Sequence, residues 1–217
     1  MLVPINKPEG WTSFDVVKKL RNVTGFKKVG HGGTLDPFAS GLLIVGFGSQ
    51  TKKLKTFLTC DKTYEMLVRV GIESDTMDRT GRFYKREENV CLNEDLLQKT
   101  IDSFVGSQTQ IPPMYSAKKV AGVPLYVKAR KGEFVERKAV SVEIYSIDLL
   151  NVTDDTFRLN VVCSSGTYMR VLAYDIGRAL GTGALAEELV RLSIGDYTLE
   201  ESFTIEEFIK QWKLLAA

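Results

Sequence analysis

The spacing of apolar residues along the 217-residue chain switches between the period of a strand and that of a helix. Apolar residues that alternate, or that run together between turn residues, predict strands, and apolar residues three or four positions apart predict helices. The predicted strands span residues 2–6, 42–47, 62–71, 82–86, 134–150 and 156–164. The predicted helices span residues 12–25, 93–105, 167–180 and 185–192, and another begins at residue 204. Because these elements alternate and the late strands form a hairpin-like pair, the pattern predicts an α+β fold with a mixed sheet.

Residues that begin and end helices support this assignment. Gly25 is placed to stop the first helix, Asn93 can cap a later one, and Thr204 with Glu207 has the spacing of a capping box. By contrast, residues 109–124 contain three prolines and a glycine, so they predict an excursion from the core.

Composition and charge exclude several classes of protein and suggest a kind of partner. The chain is 44% hydrophobic and 26% charged, which is typical of a soluble globular protein and excludes a collagen, a coiled-coil rod or a disordered chain. The net charge is only +2, but residues 1–60 hold nine Lys and Arg against three acidic residues, and residues 118–138 hold seven against two. Two such basic zones suit a polyanion such as nucleic acid, and solvated helix faces explain them equally well.

Cysteine usage and hydropathy indicate the compartment. The three cysteines are far apart and lack CxxC spacing, so neither structural zinc nor a secreted disulfide framework is expected. The chain reaches Pro4 and Lys7 before any apolar stretch of signal-peptide length, and its longest apolar run, residues 41–48, is too short to cross a bilayer. We therefore expect a cytoplasmic protein that does not bind membranes.

The glycine-rich segment 30–41 (GHGGTLDPFASG) is the first candidate for chemistry. It lacks the Lys-Ser/Thr pair of a P-loop and the third glycine of a dinucleotide fingerprint, so a nucleotide-binding enzyme is a disfavoured alternative. Asp36 lies where glycines let the backbone approach a ligand closely, and its carboxylate could act as a nucleophile or base, or simply close a turn. His31 is the chain's only histidine, which excludes a metal site built on two histidines.

Arg170 is the second candidate. Gly166 and Thr167 predict a junction between a strand and a helix capped by Thr167, which puts Arg170 in the first helical turn. The helix dipole disfavours a cation there, so Arg170 is either exposed at the surface or paired with an anion.

Six blocks of sequence together resemble the TruB-type pseudouridine synthases, which isomerise a uridine in the T-arm of transfer RNA. The blocks are NKPEGWTSFDVV (6–17), KVGHGGTLDPFASGLLIV (28–45), DKTYE (61–65), SDTMDRTG (74–81), QIPPMYSAKKVAGVPLYVKAR (110–130) and SSGTYMRVLAYDIGRALGTGA (164–184). They follow the family's order over most of residues 3–195, and GTLDPxASGLL is highly specific. The resemblance implies an enzyme that converts the T-arm uridine at tRNA position 55 to pseudouridine without a metal or any other cofactor.

The resemblance also implies roles for individual residues. Asp36 matches the catalytic aspartate, which acts covalently on the flipped uridine, and Arg170 matches the arginine that pairs with it. Tyr64 matches the tyrosine that stacks on the base and takes part in proton transfer. The remaining matches are His31, which helps to displace and hold the base, Leu189, which lines the base pocket, and Lys7 with Pro8, which pack beside the site.

The fold implied is the pseudouridine synthase fold, in which a central mixed, mostly antiparallel sheet is flanked by helices and carries a thumb-like insertion. We expect a catalytic domain over residues 1–200, with the insertion at about 108–132 closing over the RNA stem-loop, and a terminal helix over 201–217. We expect that the C-terminal PUA domain of many relatives is missing, and therefore that fewer phosphates are contacted and RNA affinity is weaker. A monomer without an obligatory protein partner is expected.

The sequence departs from the family pattern at Gly32, where relatives usually have a hydroxyl residue, and this glycine could loosen the loop. The main alternative function is a non-catalytic RNA-binding or RNA-folding protein on the same scaffold. The joint presence of Asp36, Tyr64 and Arg170 disfavours it, because binding alone does not need that set. Folding of tRNA could accompany catalysis, and the covalent and glycal routes for the aspartate both stay open.

Overall fold

The strands and helices of the computed structural model, which describes residues 1–87 and 90–215, follow most of the predicted order. The strands are β1 (Leu2–Lys7), β2 (Val29–His31), β3 (Ser40–Phe47), β4 (Lys62–Val70), β5 (Ile72–Ser74), β6 (Phe83–Arg86), β7 (Gly106–Gln110), β8 (Lys119–Val120), β9 (Val123–Pro124), β10 (Val140–Val152), β11 (Thr156–Cys163), β12 (Ala184–Ile194) and β13 (Tyr197–Thr198). The helices are α1 (Ser13–Thr24), α2 (Leu54–Thr59), α3 (Glu94–Asp102), α4 (Leu125–Arg130), α5 (Met169–Ala179) and α6 (Ile205–Leu215), with a 3₁₀ helix at Gly48–Lys53.

The chain divides into two compact units. Unit 1 comprises residues 1–65 together with the chain from Leu189 onward, and unit 2 comprises residues 66–188. Strands β4 and β12 each begin in one unit and end in the other. Helices accompany mostly antiparallel strands in each unit, which confirms the predicted α+β class.

In unit 1 the strand order is β1-β3-β12-β4. In addition, β2 pairs with β3, and β13 pairs with β12. Strands β1 and β3 are antiparallel, whereas β3 and β12 are parallel. Apolar side chains of β1, α1, β3 and α6 form a buried core, which includes Ile5, Val16, Leu20, Val45, Phe47 and Phe208. Burying such side chains is the main force that holds these helices on the sheet.

In unit 2 the strands β4, β11, β10 and β7 lie in that order. Strand β10 is antiparallel to both β11 and β7, and residues 153–155 connect β10 to β11 as predicted. Every second residue of β4 is buried, as expected for a strand with one face in a core. Strands β8 and β9 and helix α4 occupy the predicted insertion at 108–132, whose function stays a prediction.

The predicted glycine stop at Gly25, the cap at Asn93 and the capping box at Thr204 are confirmed, whereas the predicted cap at Thr167 is not. Thr12 caps α1 within a capping box, and Gly25 ends that helix in the left-handed conformation with φ of 71°. Asn93 caps α3. Thr204, immediately before α6, exchanges hydrogen bonds with Glu207 in the first turn of that helix, so this capping box is also present.

The helix predicted over residues 185–192 is wrong, because these residues belong to strand β12. The segment ALAEELVRL has good helix formers and apolar residues at helical spacing. Pairing with β3 and β13 overrides that local preference, since backbone hydrogen bonds to neighbouring strands replace those of a helix.

Two boundaries also differ from the prediction. Strand β10 begins at Val140 rather than at residue 134. Helix α5 begins at Met169 after Tyr168, which provides no side-chain cap, and the Thr167 hydroxyl donates instead to the Ser164 carbonyl at 2.9 Å. Of the helices within residues 1–87 and 90–215, none is long and apolar enough to cross a membrane.

Candidate active site

Asp36 lies in the loop between β2 and β3, and its side chain is half-buried. The loop is held by α1, because the buried Ser13 hydroxyl accepts a hydrogen bond from the Leu35 amide at 2.9 Å and donates to the Leu35 carbonyl at 3.3 Å. On the other side of Asp36, the Gly10 amide donates to the Pro37 carbonyl at 2.8 Å. The two residues that flank Asp36 are therefore both tied to the β1–α1 segment.

Arg191 holds the same loop from β12, and sequence reasoning missed this residue. Its side chain is only 1% exposed. Its guanidinium donates to the carbonyls of Gly33 at 3.2 Å, Thr34 at 3.4 Å and Leu42 at 2.8 Å. Arg191 was missed because its segment was predicted to be a helix. In a strand, residues two positions apart share a face, so a strand prediction would have placed Arg191 on the same face as Leu189.

Lys7 is a second buried cation at this position. It is fully buried, and its ammonium donates to the carbonyls of Pro8 at 2.9 Å and Trp11 at 2.7 Å. Burial lowers the pKa of Lys7 to about 8, the Asp36 carboxylate opposes this shift, and the charge of Arg191 adds to it. The Lys7 ammonium therefore lies within electrostatic reach of both residues.

The sheet register explains why the two cations come together. Lys7 of β1 and Arg191 of β12 both pair with Gly41, one on each side of β3. Gly41 has φ of 105°, and a Cβ atom there would lie 2.4 Å from the Arg191 carbonyl oxygen. Only glycine fits at this point, where the Asp36 loop enters β3.

His31 ends β2, at the start of the same loop. Burial lowers the pKa of its imidazole, and the charge of Arg191 lowers it further, whereas the Gly33 backbone opposes the shift. Its buried Nδ1 atom has no hydrogen-bond partner among the residues described. A neutral imidazole is thus favoured near pH 7, and its Nδ1 atom is the nitrogen for which the described residues provide no partner.

The other predicted residues of unit 1 lie on or beside the same sheet. Tyr64 of β4 is 8% exposed and Leu189 of β12 is 6% exposed, whereas Pro8 is exposed next to Lys7. A hydrogen bond of 2.8 Å between the Ser193 and Thr63 hydroxyls joins β12 to β4 beside these positions.

Gly32 is buried in the loop against α2. A Cβ atom there would lie 3.0 Å from the Cβ of Phe57 and 3.3 Å from the Leu54 carbonyl oxygen. A hydroxyl residue at this position would require α2 to move by a few tenths of an ångström. The glycine therefore lets α2 approach the Asp36 loop closely.

Arg170 belongs to unit 2, where its side chain is almost completely buried, so a surface position is wrong. Its guanidinium donates to the carbonyls of Thr76 at 2.6 Å and Tyr115 at 2.7 Å and forms an ion pair with Asp78 at 3.5 Å. The pairing of Arg170 with Asp36 stays a prediction.

Asp78 is an anion that pairs with Arg170, and sequence reasoning missed it. It is 4% exposed. Its Oδ1 atom accepts hydrogen bonds from the hydroxyls of Thr76 at 2.8 Å and Thr80 at 2.6 Å and from the Thr80 amide at 2.9 Å. Arg170 thus joins the 74–81 turn to the segment that contains Tyr115.

The arrangement in unit 1 is suited to chemistry that uses a carboxylate. Asp36 is half-buried in a loop held on both sides, and the buried Lys7 ammonium lies close enough to interact with both the Asp36 carboxylate and the Arg191 guanidinium. Such a carboxylate can attack an electrophilic carbon or remove a proton. Within residues 1–87 and 90–215, no three His, Cys, Asp or Glu side chains are grouped so that they could hold a metal ion.

Comparisons with known proteins agree on one family. A sequence profile described as "TruB family pseudouridylate synthase (N terminal domain)" matches residues 21–169. A Dehalococcoides mccartyi protein named tRNA pseudouridine synthase B is 43% identical over 201 residues, which cover 93% of this chain and 67% of that protein. A Clostridium perfringens protein of the same name is 42% identical over 211 residues, covering 97% and 72%.

Solved structures support the fold. A chain of a Cbf5–Nop10–Gar1 complex is 27% identical with a TM-score of 0.76, and the match covers 100% of this chain and 56% of that one. A chain of an archaeal box H/ACA Nop10–Cbf5 complex has a TM-score of 0.73 at 24% identity, covering 99% and 54%. The present chain thus spans just over half the length of these solved chains. The predicted fold is confirmed by these matches.

Proposed function

Because this chain belongs to the TruB family of pseudouridylate synthases, we propose that it isomerises a uridine of transfer RNA to pseudouridine, at the T-arm position 55. The relatives named tRNA pseudouridine synthase B support the tRNA substrate. The observation that carries the proposal is the loop that presents Asp36, which Ser13 and Arg191 hold by hydrogen bonds beside the buried Lys7.

The reaction breaks the N1–C1′ bond, turns the uracil and joins C5 to C1′. C5 loses its proton and N1 gains one, so atoms and electrons balance without an oxidant or reductant. Asp36 acts on the glycosidic bond, either by attack of its carboxylate on C1′ or by removal of the C2′ proton to give a glycal. A primary isotope effect from deuterium at C2′ is expected for the glycal route alone.

The target base must leave its stack before it can react, which costs a few kcal/mol. We assign Tyr64 to stack on the extruded uracil and to take part in proton transfer, and Leu189 to line the base pocket. His31 helps to displace and hold the base, which suits a neutral imidazole with an unsatisfied ring nitrogen. Arg170 is assigned to pair with Asp36, and Lys7 with Pro8 supports the site.

The test is pseudouridine formation in an unmodified tRNA transcript, mapped by nucleotide, with wild type, Asp36→Asn and Glu200→Gln. Glu200 is an exposed acid outside the loop, so its variant controls for loss of one negative charge. We expect product at the T-arm uridine with wild type and Glu200→Gln and none with Asp36→Asn. Product from Asp36→Asn would contradict the role of Asp36, and binding without product in wild type would favour a protein that only binds or folds RNA.

We further propose that the enzyme acts in the cytoplasm as a monomer that needs no cofactor, no obligatory protein partner and no membrane. The predicted insertion at 108–132 closes over the T-arm stem-loop, and its basic residues bind phosphates in a salt-sensitive way. Light scattering at assay concentrations would give one chain per particle. If the protein also assists tRNA folding, the folding yield will survive in Asp36→Asn.

A further inference from the structure

We propose that Arg191 is a positioning residue that holds the loop of Asp36 in its catalytic conformation, an inference that rests on the proposed function. Among the residues whose burial the structure describes, Arg191 is the largest side chain that is less than 2% exposed. Burying a guanidinium is costly unless its charge and its donors are used. Its hydrogen bonds therefore indicate what this arginine does.

The guanidinium of Arg191 bridges the two ends of the loop. Nη1 and Nη2 bond to the carbonyls of Thr34 and Gly33, which precede Asp36, and Nε bonds to the carbonyl of Leu42, which follows the loop in β3. All three acceptors are backbone carbonyls. The hydrogen bonds therefore fix the backbone conformation of the loop and not the position of another side chain.

The register of the sheet makes this bridge geometrically possible. β12 runs parallel to β3 with Arg191 beside Gly41, and the Arg191 backbone leaves no room for a Cβ atom at Gly41. The close approach of the two strands brings one planar guanidinium within reach of carbonyls on both sides of the loop. Lysine cannot replace this contact, because its ammonium is a single point of charge.

Arg191 holds a part of the loop that the hydrogen bonds of Ser13 and Gly10 on each side of Asp36 do not hold. Ser13 holds Leu35 and Gly10 holds Pro37, while the carbonyls of Gly33 and Thr34 are held by Arg191. Thr34 is two residues from Asp36, so loss of the bridge shifts the carboxylate relative to the reacting sugar. A misplacement of about 1 Å can lower the rate by a factor on the order of 100.

A positioning role predicts a particular kinetic pattern. Because Arg191 is buried, it does not offer its charge to RNA at the surface, so KM should change by less than about threefold while kcat falls. We expect kcat to fall about 100-fold in Arg191→Met and about 10-fold in Arg191→Lys. The lysine variant keeps the positive charge but loses the planar guanidinium that donates to three carbonyls. Arg178→Met, at an exposed arginine of α5, is the matched control and should keep both constants.

The kinetic outcomes separate this inference from the proposed function. Activity in wild type supports the proposed function, and wild-type kcat in Arg191→Lys and Arg191→Met would then overturn the positioning role. A rise in KM at unchanged kcat would also overturn it, because that pattern belongs to RNA binding. If Arg191→Met does not fold, the Lys variant decides.

Amide hydrogen exchange tests the loop without activity. The Gly32 amide donates to the Ile44 carbonyl and the Leu35 amide donates to Ser13. Both should exchange at least about tenfold faster in Arg191→Lys than in wild type, whereas the Ile5 amide in the β1–β3 ladder should not change. Unchanged exchange at Gly32 and Leu35 would overturn the inference even if wild type had no synthase activity.

Discussion

Replacing Arg170 by alanine tests how much the buried arginine contributes to unit 2. The substitution removes an ion pair of 3.5 Å with Asp78 and the donors for the carbonyls of Thr76 and Tyr115. Removing one partner of a buried ion pair costs about 3–5 kcal/mol. Since Asp78 keeps its bonds from Thr76 and Thr80, we place the expected loss near the lower end, at about 3 kcal/mol.

Urea denaturation followed by circular dichroism measures this loss. With a slope of about 2 kcal/mol per molar urea, a loss of about 3 kcal/mol moves the midpoint down by roughly 1.5 M. Arg178→Ala is the control on the same helix, because that side chain lies at the surface, and it should stay within about 0.5 kcal/mol of wild type.

A loss below about 1 kcal/mol for Arg170→Ala would refute the reasoning, because the burial of this side chain would then carry little energy. Asp78→Asn and the double variant complete a cycle. Additive effects in that cycle would show that the Asp78 contact is not coupled to Arg170. Activity of Arg170→Ala should be measured well below its unfolding midpoint, where loss of product then reports on the site rather than on stability.

Two further perturbations test the cations beside Asp36 and the register that brings them together. Because burial lowers the pKa of Lys7 to about 8 from 10.5, the unfolded chain binds more protons between these values, and the free energy of unfolding should rise with pH across that window. Lys7→Met should lack this rise, and identical pH profiles of stability for the two proteins would contradict the assignment. Gly41→Ala places a Cβ atom 2.4 Å from the Arg191 carbonyl oxygen at φ of 105°, so thermal melts should show a loss of more than about 3 kcal/mol. Gly25→Ala, which meets nothing within 4 Å at φ of 71°, should lose only about 1 kcal/mol, and equal losses would contradict the close approach of β12.

Features that depend on neighbours in the chain could be predicted from the residues. The capping box at Thr12, the glycine stop at Gly25 and the cap at Asn93 each follow from bonds within one turn of a helix. The alternation of β4 follows from the two-residue period of a strand. The glycine-rich loop with Asp36 was recognised because its residue types and spacing are specific.

Features that depend on contacts between distant segments became visible only in the folded chain. Residues 184–194 have the local preferences of a helix, but β3 offers backbone partners more than a hundred residues away, and the segment becomes β12. With that change Arg191 moves into a buried position and meets the carbonyls of Gly33 and Leu42. Two groups that contact Arg170 could not be predicted either, because Asp78 and Tyr115 lie far from it along the chain. Local hydrogen bonds are encoded by adjacent residues, whereas the burial of a charge is decided by whichever distant groups the fold brings to it.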